Sequence, residues 1–207
     1  MKRSSSESIG RLLLASLLAS PFAGLPLAAT GCADRSEPHF FAAEGGPKLH
    51  LPGPMRGALR THDAAFQVFE RHDYSSRIFE SGEWRYELSA KQVPFAILGD
   101  FDGDGRIDAA LHGHSGDSVI CIVAVLADST TPRVMEISRH PGPGRGPRER
   151  LGDFLMHVPA GRVPVAWTEA ETTIVLAHEA FEHVIFEKTA VMHYYEGGRF
   201  QNIVTSD

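Results

Sequence analysis

Four aspartates fall within nine residues in the stretch GDFDGDGRIDAAL, Gly99 to Leu111, at Asp100, Asp102, Asp104 and Asp108. Carboxylates at alternate positions of a tightly turning backbone converge on one point, and a hard divalent cation such as Ca2+ takes about six to eight oxygens there. Gly105 permits a sharp turn after the third aspartate, so Arg106 can offer its backbone carbonyl while its side chain points away. Asp108 closes the set, directly or through a water. The charge argues the same way, because two carboxylates about 5 Å apart repel by roughly 3 kcal/mol at an effective dielectric of about 20. A cation removes that conflict, and a plain polar hairpin needs one or two such residues, not four.

An EF-hand does not fit. The twelfth loop position is Leu111, where a bidentate glutamate is required, and the flanks VPFAIL and IDAALH read as strands. The segment resembles instead the calcium loop of FG-GAP or VCBS-type repeats, found in β-propeller blades. That resemblance implies a Ca2+ site at Asp100, Asp102, Asp104, Arg106 and Asp108. A propeller needs several copies, and the loop occurs once here, which excludes a full propeller. The chain also resembles small exported bacterial proteins that carry one such loop and end in a pattern like FEKTAVMHYYEGGRFQNIVTSD; the resemblance attaches no activity.

Other polar clusters suggest chemistry less directly. HEAFEH, His178 to His183, spaces its histidines by five and not four, so on a helix they stand about 140° apart and on a strand they face opposite sides. In HGHSGDS, His112 and His114 share one face of a strand end and could serve a transition metal, against the plainer reading of a polar hairpin. Ser115 lacks the glycine of a nucleophile elbow, since position 117 is Asp117. Trp84, Tyr86, Phe186, Tyr194 and Tyr195 could line a ligand platform, although strand aromatics more often build core. A metal-assisted hydrolase using these histidines remains an alternative; it requires a concave pocket with His112, His114 or His178 beside the loop.

The elements that must position the loop alternate with period two. WRYEL, VPFAIL, IDAALH, SVICIVAVL, RVMEIS, TTIVLAH, HVIFEK, AVMHYY and RFQNIVTS read as strands, and EGGR is a turn joining the last two. Thr61 heads THDAAFQVFERHDY, whose Ala65, Phe66 and Phe69 predict one short amphipathic helix. The fold class that follows is α+β, mostly antiparallel β with one or two short helices. PGPGRGPRER, Pro141 to Arg150, interrupts it as a basic loop; inserted into a partner, it would suit an inhibitor or immunity-like protein.

The amino end frames where the domain works. Lys2, Arg3 and Arg11 precede the apolar run LLLASLLASPFAGLPLAA, the layout of a secretory signal over residues 1–32. LAATGC resembles a bacterial lipobox, which implies lipidation of Cys32 and an outer-membrane destination, with the membrane touched only through that anchor. Residues 33–56, rich in proline and glycine, read as a flexible tether, and residues 57–207 as a single β-rich domain. Cys121 then has no partner for a disulfide and reads as a buried apolar residue. Removing residues 1–32 leaves 17 basic against 25 acidic residues, a formal charge of −8 that disfavours nucleic acid. The expected role is a periplasmic or outer-membrane-anchored protein, otherwise secreted, with one structural Ca2+ and an envelope protein or glycan as partner. No catalytic residue is assigned.

Overall fold

The computed structural model describes residues 36–80, 88–116, 119–128, 130–142, 150–165 and 172–206. The signal segment with Cys32, Trp84, Tyr86 and residues 143–149 of the basic loop lie outside them. Within the described residues the chain is mostly antiparallel β with two helices, and it forms neither a closed barrel nor a propeller.

In chain order the elements are β1 (His39–Ala43), β2 (Gly46–His50), α1 (Gly53–His62), β3 (Phe66–Val68), α2 (Arg77–Glu80), β4 (Gln92–Val93), β5 (Ala96–Gly99), β6 (Asp108–Ser115) and β7 (Val119–Leu126). They continue with β8 (Arg133–Pro141), β9 (Asp153–Val158), β10 (Gly161–Val165), β11 (Thr172–Leu176), β12 (Ala180–Ile185), β13 (Thr189–Glu196) and β14 (Arg199–Ser206). One sheet runs β4-β5-β6-β7-β8, with β3 added to the far end of β6; the other runs β14-β13-β12-β9. Two hairpins, β1–β2 and β10–β11, stand apart from both.

Alternation along β6 builds the layers. Ala109 and Leu111 turn to a cluster with Met55 and Leu59 of α1, Phe69 and Ile78. Ala110 turns the other way, joining Ile97 and Ile122 to Leu155 and Phe181 of the second sheet. Burying apolar area at about 25 cal/mol per Å² makes these two clusters the main source of stability. A third cluster, Val158, Leu176, Ala180 and Met192, seals the β10–β11 hairpin onto the outer face of the second sheet.

Three expectations are corrected. Residues 39–50, read as part of a tether, pair as the β1–β2 hairpin, whose two-residue turn uses Gly45 at φ +85°. The helix ends where it was expected to begin, with Thr61 its penultimate residue and not its cap: the prolines at 52 and 54 suit a helix start, and Met55 and Leu59, four apart, form its buried stripe. Phe66 and Val68, expected in that helix, lie in β3 against Ser115 and Gly113 of β6. Strands β9 and β10 were not foreseen. DFLMHV does not alternate, because Phe154 and Leu155 are both buried, one on each face of the sheet.

Candidate metal centre

The aspartate loop links β5 to β6, as the flanking hydrophobic runs imply. Gly99 pairs with Asp108, so the two ends of the loop are adjacent in the sheet. Between them Phe101 turns inward, fully buried, with its ring 5.4 Å from Phe181 and 6.3 Å from Phe200. The loop, which begins and ends in the first sheet, is therefore packed onto the second by one aromatic ring.

Hydrogen bonds from the backbone then shape it. Asp100 accepts from the amides of Gly103 (2.8 Å) and Gly105 (3.0 Å), and Asp102 from that of Asp104 (3.3 Å). Gly103 and Gly105 sit at φ +79° and +83°, where L side chains are strained. Against Gly103 lies the ring of His178. Asp108 is fully buried and accepts twice, from Phe101 (2.9 Å) and from Ala127 beyond β7 (2.7 Å).

Ligand oxygens of Asp100, Asp102 and Asp108 lie within 4.8 Å of one another. Asp104, the fourth aspartate of the motif, is outside that group: its Oδ1 accepts from the Arg106 amide at 2.9 Å, and its Oδ2 faces Arg106 Nε at 3.7 Å. The Arg106 side chain is half exposed.

Charge accumulates in this cradle. Burial, opposed by its two amide donors, pushes the Asp108 carboxyl up to about 7, with Asp102 and Asp104 adding to the rise. Asp102 is also raised, by burial and by Asp104, while the guanidinium of Arg133, 3.2 Å away, pulls against it. The neighbouring Glu179 differs. Burial raises it, but the Lys91 ammonium, the Asp100 amide (2.9 Å) and His157 (3.0 Å) outweigh burial and hold it below the usual carboxylate range. Glu179 thus braces the loop entrance without joining the oxygen cluster. Nothing in the motif pointed to it.

A recess of about 270 Å³ opens beside the loop, lined in part by Asp102, His178, Tyr194 and Tyr195. Of the histidines considered from sequence, His178 alone borders this recess. His114 is turned away, its Nδ1 2.6 Å from the Gly116 carbonyl and its ring 5.3 Å from Phe69. His183 and His112 belong together elsewhere, with Asp153. The five-residue spacing of HEAFEH indeed separates its two histidines between different sites.

Compared with protein-family models, curated proteins and solved structures, the chain matches none.

Proposed function

We infer that this chain is an exported, lipid-anchored cell-envelope domain in which the 100–108 loop holds one Ca2+ that fixes β5 and β6 together. The observation that carries this reading is the convergence of the Asp100, Asp102 and Asp108 oxygens within 4.8 Å around a fully buried Asp108. Hard oxygen donors on a glycine-turned loop suit Ca2+ better than softer ions. The FG-GAP-like spacing DxDxDGxxD supports the same ion, and the signal-like start with Cys32 supports the envelope. Asp104 and the Arg106 carbonyl belong to the pattern. Partners in this reading are envelope proteins or glycans.

The test is the melting temperature with Ca2+ and with chelator. Wild-type protein is expected to melt several degrees higher in Ca2+, and Asp102→Ala to abolish that difference. An equal shift with and without Ca2+ would refute the site. Metabolic labelling with a fatty acid, compared with Cys32→Ser, tests the anchor.

The recess favours a second reading, metal-assisted hydrolysis, because it places His178 beside Asp102 at a concave surface. Calcium-dependent ester turnover lost in His178→Ala would support it, and inactivity across a broad ester panel would remove it.

A further inference from the structure

The second polar cluster sits between the two sheets and has no part in the calcium reading. His112 lies four residues along β6 from Asp108, about 13 Å at the usual strand rise. It faces Asp153 at the start of β9 and His183 on β12, so three strands from both sheets supply one group. Asp153 pairs with Ile185, which makes His183 its diagonal neighbour on the same sheet face.

The distances suit a metal. Oδ2 of Asp153 is 3.0 Å from His183 Nε2 and 3.5 Å from His112 Nε2, and one donor atom from each of the three residues lies within 4.8 Å of the others. Donors held about 2.0–2.1 Å from a tetrahedral cation stand about 3.3 Å apart, and the two separations to Asp153 bracket that value.

A network complete in itself would leave no donor or acceptor over, and this one does. His112 is fully buried, yet among the described residues its Nε2 makes no hydrogen bond, the 3.5 Å approach to Asp153 falling outside hydrogen-bond geometry. Its other nitrogen, Nδ1, is 2.9 Å from the Tyr74 hydroxyl. That is the arrangement by which an outer partner fixes the ring and aims the free nitrogen at an ion. Beyond Asp153 and His183 opens a cavity of about 650 Å³, whose lining includes His140 and Ser138. Catalytic zinc sites keep such a position open for water or substrate.

We propose that His112 Nε2, Asp153 Oδ2 and His183 Nε2 form a second metal centre that takes a borderline divalent cation of the zinc class, with one coordination position open to this cavity. Imidazole donors separate it from the oxygen-only calcium loop. The two centres therefore select different ions from opposite ends of one stretch of β6.

The experiment is calorimetric titration of Zn2+ into the chelator-stripped protein with Ca2+ in excess, followed by Co2+ substitution read by visible absorption. One equivalent of Zn2+ and an intense tetrahedral Co2+ spectrum are expected. Tyr74→Phe should weaken Zn2+ by about tenfold or more. His183→Ala, at the cavity edge, should remove Zn2+ binding and leave the Ca2+ response intact. Absence of Zn2+ binding, or Zn2+ binding that survives His183→Ala and is lost in Asp102→Ala, overturns the proposal. A variant-free check uses imidazole 15N–1H spectra of the wild type: the His112 and His183 signals should move together on one equivalent of Zn2+. If they do not move, the centre does not exist.

Discussion

The Phe101 amide donates to Oδ2 of Asp108 at 2.9 Å, so the residue that buries the loop's aromatic anchor also binds its most buried carboxylate. The same carboxylate reaches the Ala127 amide at 2.7 Å, tying the loop to the end of β7. Packing and charge are therefore set at one point. Anything that moves Phe101 displaces an oxygen of the candidate calcium site, and anything that neutralises Asp108 alters how the loop sits on the core.

The first prediction concerns pH. Asp108 stands near 7 in the folded protein against an ordinary 3.8, so the folded chain binds this proton more tightly than the unfolded one. Its contribution to stability is then greatest below about pH 4 and is lost as pH rises through about 7, on the order of 4 kcal/mol over the whole span. In chelator, the melting temperature of the wild type should fall between pH 5 and pH 8 more steeply than that of Asp108→Asn. Calcium takes the proton's place, so saturating Ca2+ should flatten the wild-type curve. At pH 6, titration of Ca2+ in buffers of different ionisation heat should reveal close to one proton released. No proton release would mean that Asp108 is not a ligand.

Asp108→Asn should also carry a cost of its own. Both carboxylate oxygens accept backbone amides, and an asparagine offers one acceptor, leaving the Phe101 or Ala127 amide facing an NH2 group. A loss of about 1–3 kcal/mol in chelator follows, measured by urea unfolding, together with loss of the Ca2+ response.

The two strained glycines make a paired test. A Cβ on Gly103 would lie 2.1 Å from Cε1 of His178, whereas one on Gly105 meets nothing within 4 Å. Gly105→Ala should therefore cost only the left-handed strain, about 1–2 kcal/mol. Gly103→Ala should cost more, and adding His178→Ala should recover the difference but not the strain. Equal losses at both positions would show that the His178 ring does not rest on the loop.

Much of this architecture was readable in the chain and part was not, for physical reasons. The runs before and after the aspartates became β5, β6 and β7, because apolar period-two segments bounded by turns have few other solutions. The turn EGGR closed β13 onto β14 with Gly197 and Gly198 both at positive φ. The β1–β2 hairpin was hidden because its turn and flanks carry the proline and glycine that also mark a linker. The aspartate loop is local, and its spacing is its signal. The His112, Asp153 and His183 group is not: Asp153 and His183 are 30 residues apart, and they meet His112 only once the two sheets pack. No motif spans that distance, and DFLMHV, which carries Asp153, lacks even the alternation of a strand.

Arg133 supplies the last prediction. Its guanidinium lies 3.2 Å from Asp102 Oδ2 and 3.4 Å from the Tyr195 hydroxyl, so without an ion it is the cationic partner of the oxygen cluster. Because the pair is half exposed on the arginine side, it contributes at most about 1 kcal/mol to stability. A bound Ca2+ meets the same oxygen, so the guanidinium competes with it. Arg133→Met keeps much of the apolar stem and removes the charge, and two opposed effects should follow. In chelator the melting temperature should drop slightly, as Asp102 loses its counter-charge. In calorimetry, Ca2+ should bind a few-fold more tightly, since no cation must be displaced. Weaker Ca2+ binding in Arg133→Met would show that Arg133 shapes the loop and does not occupy the ion's place.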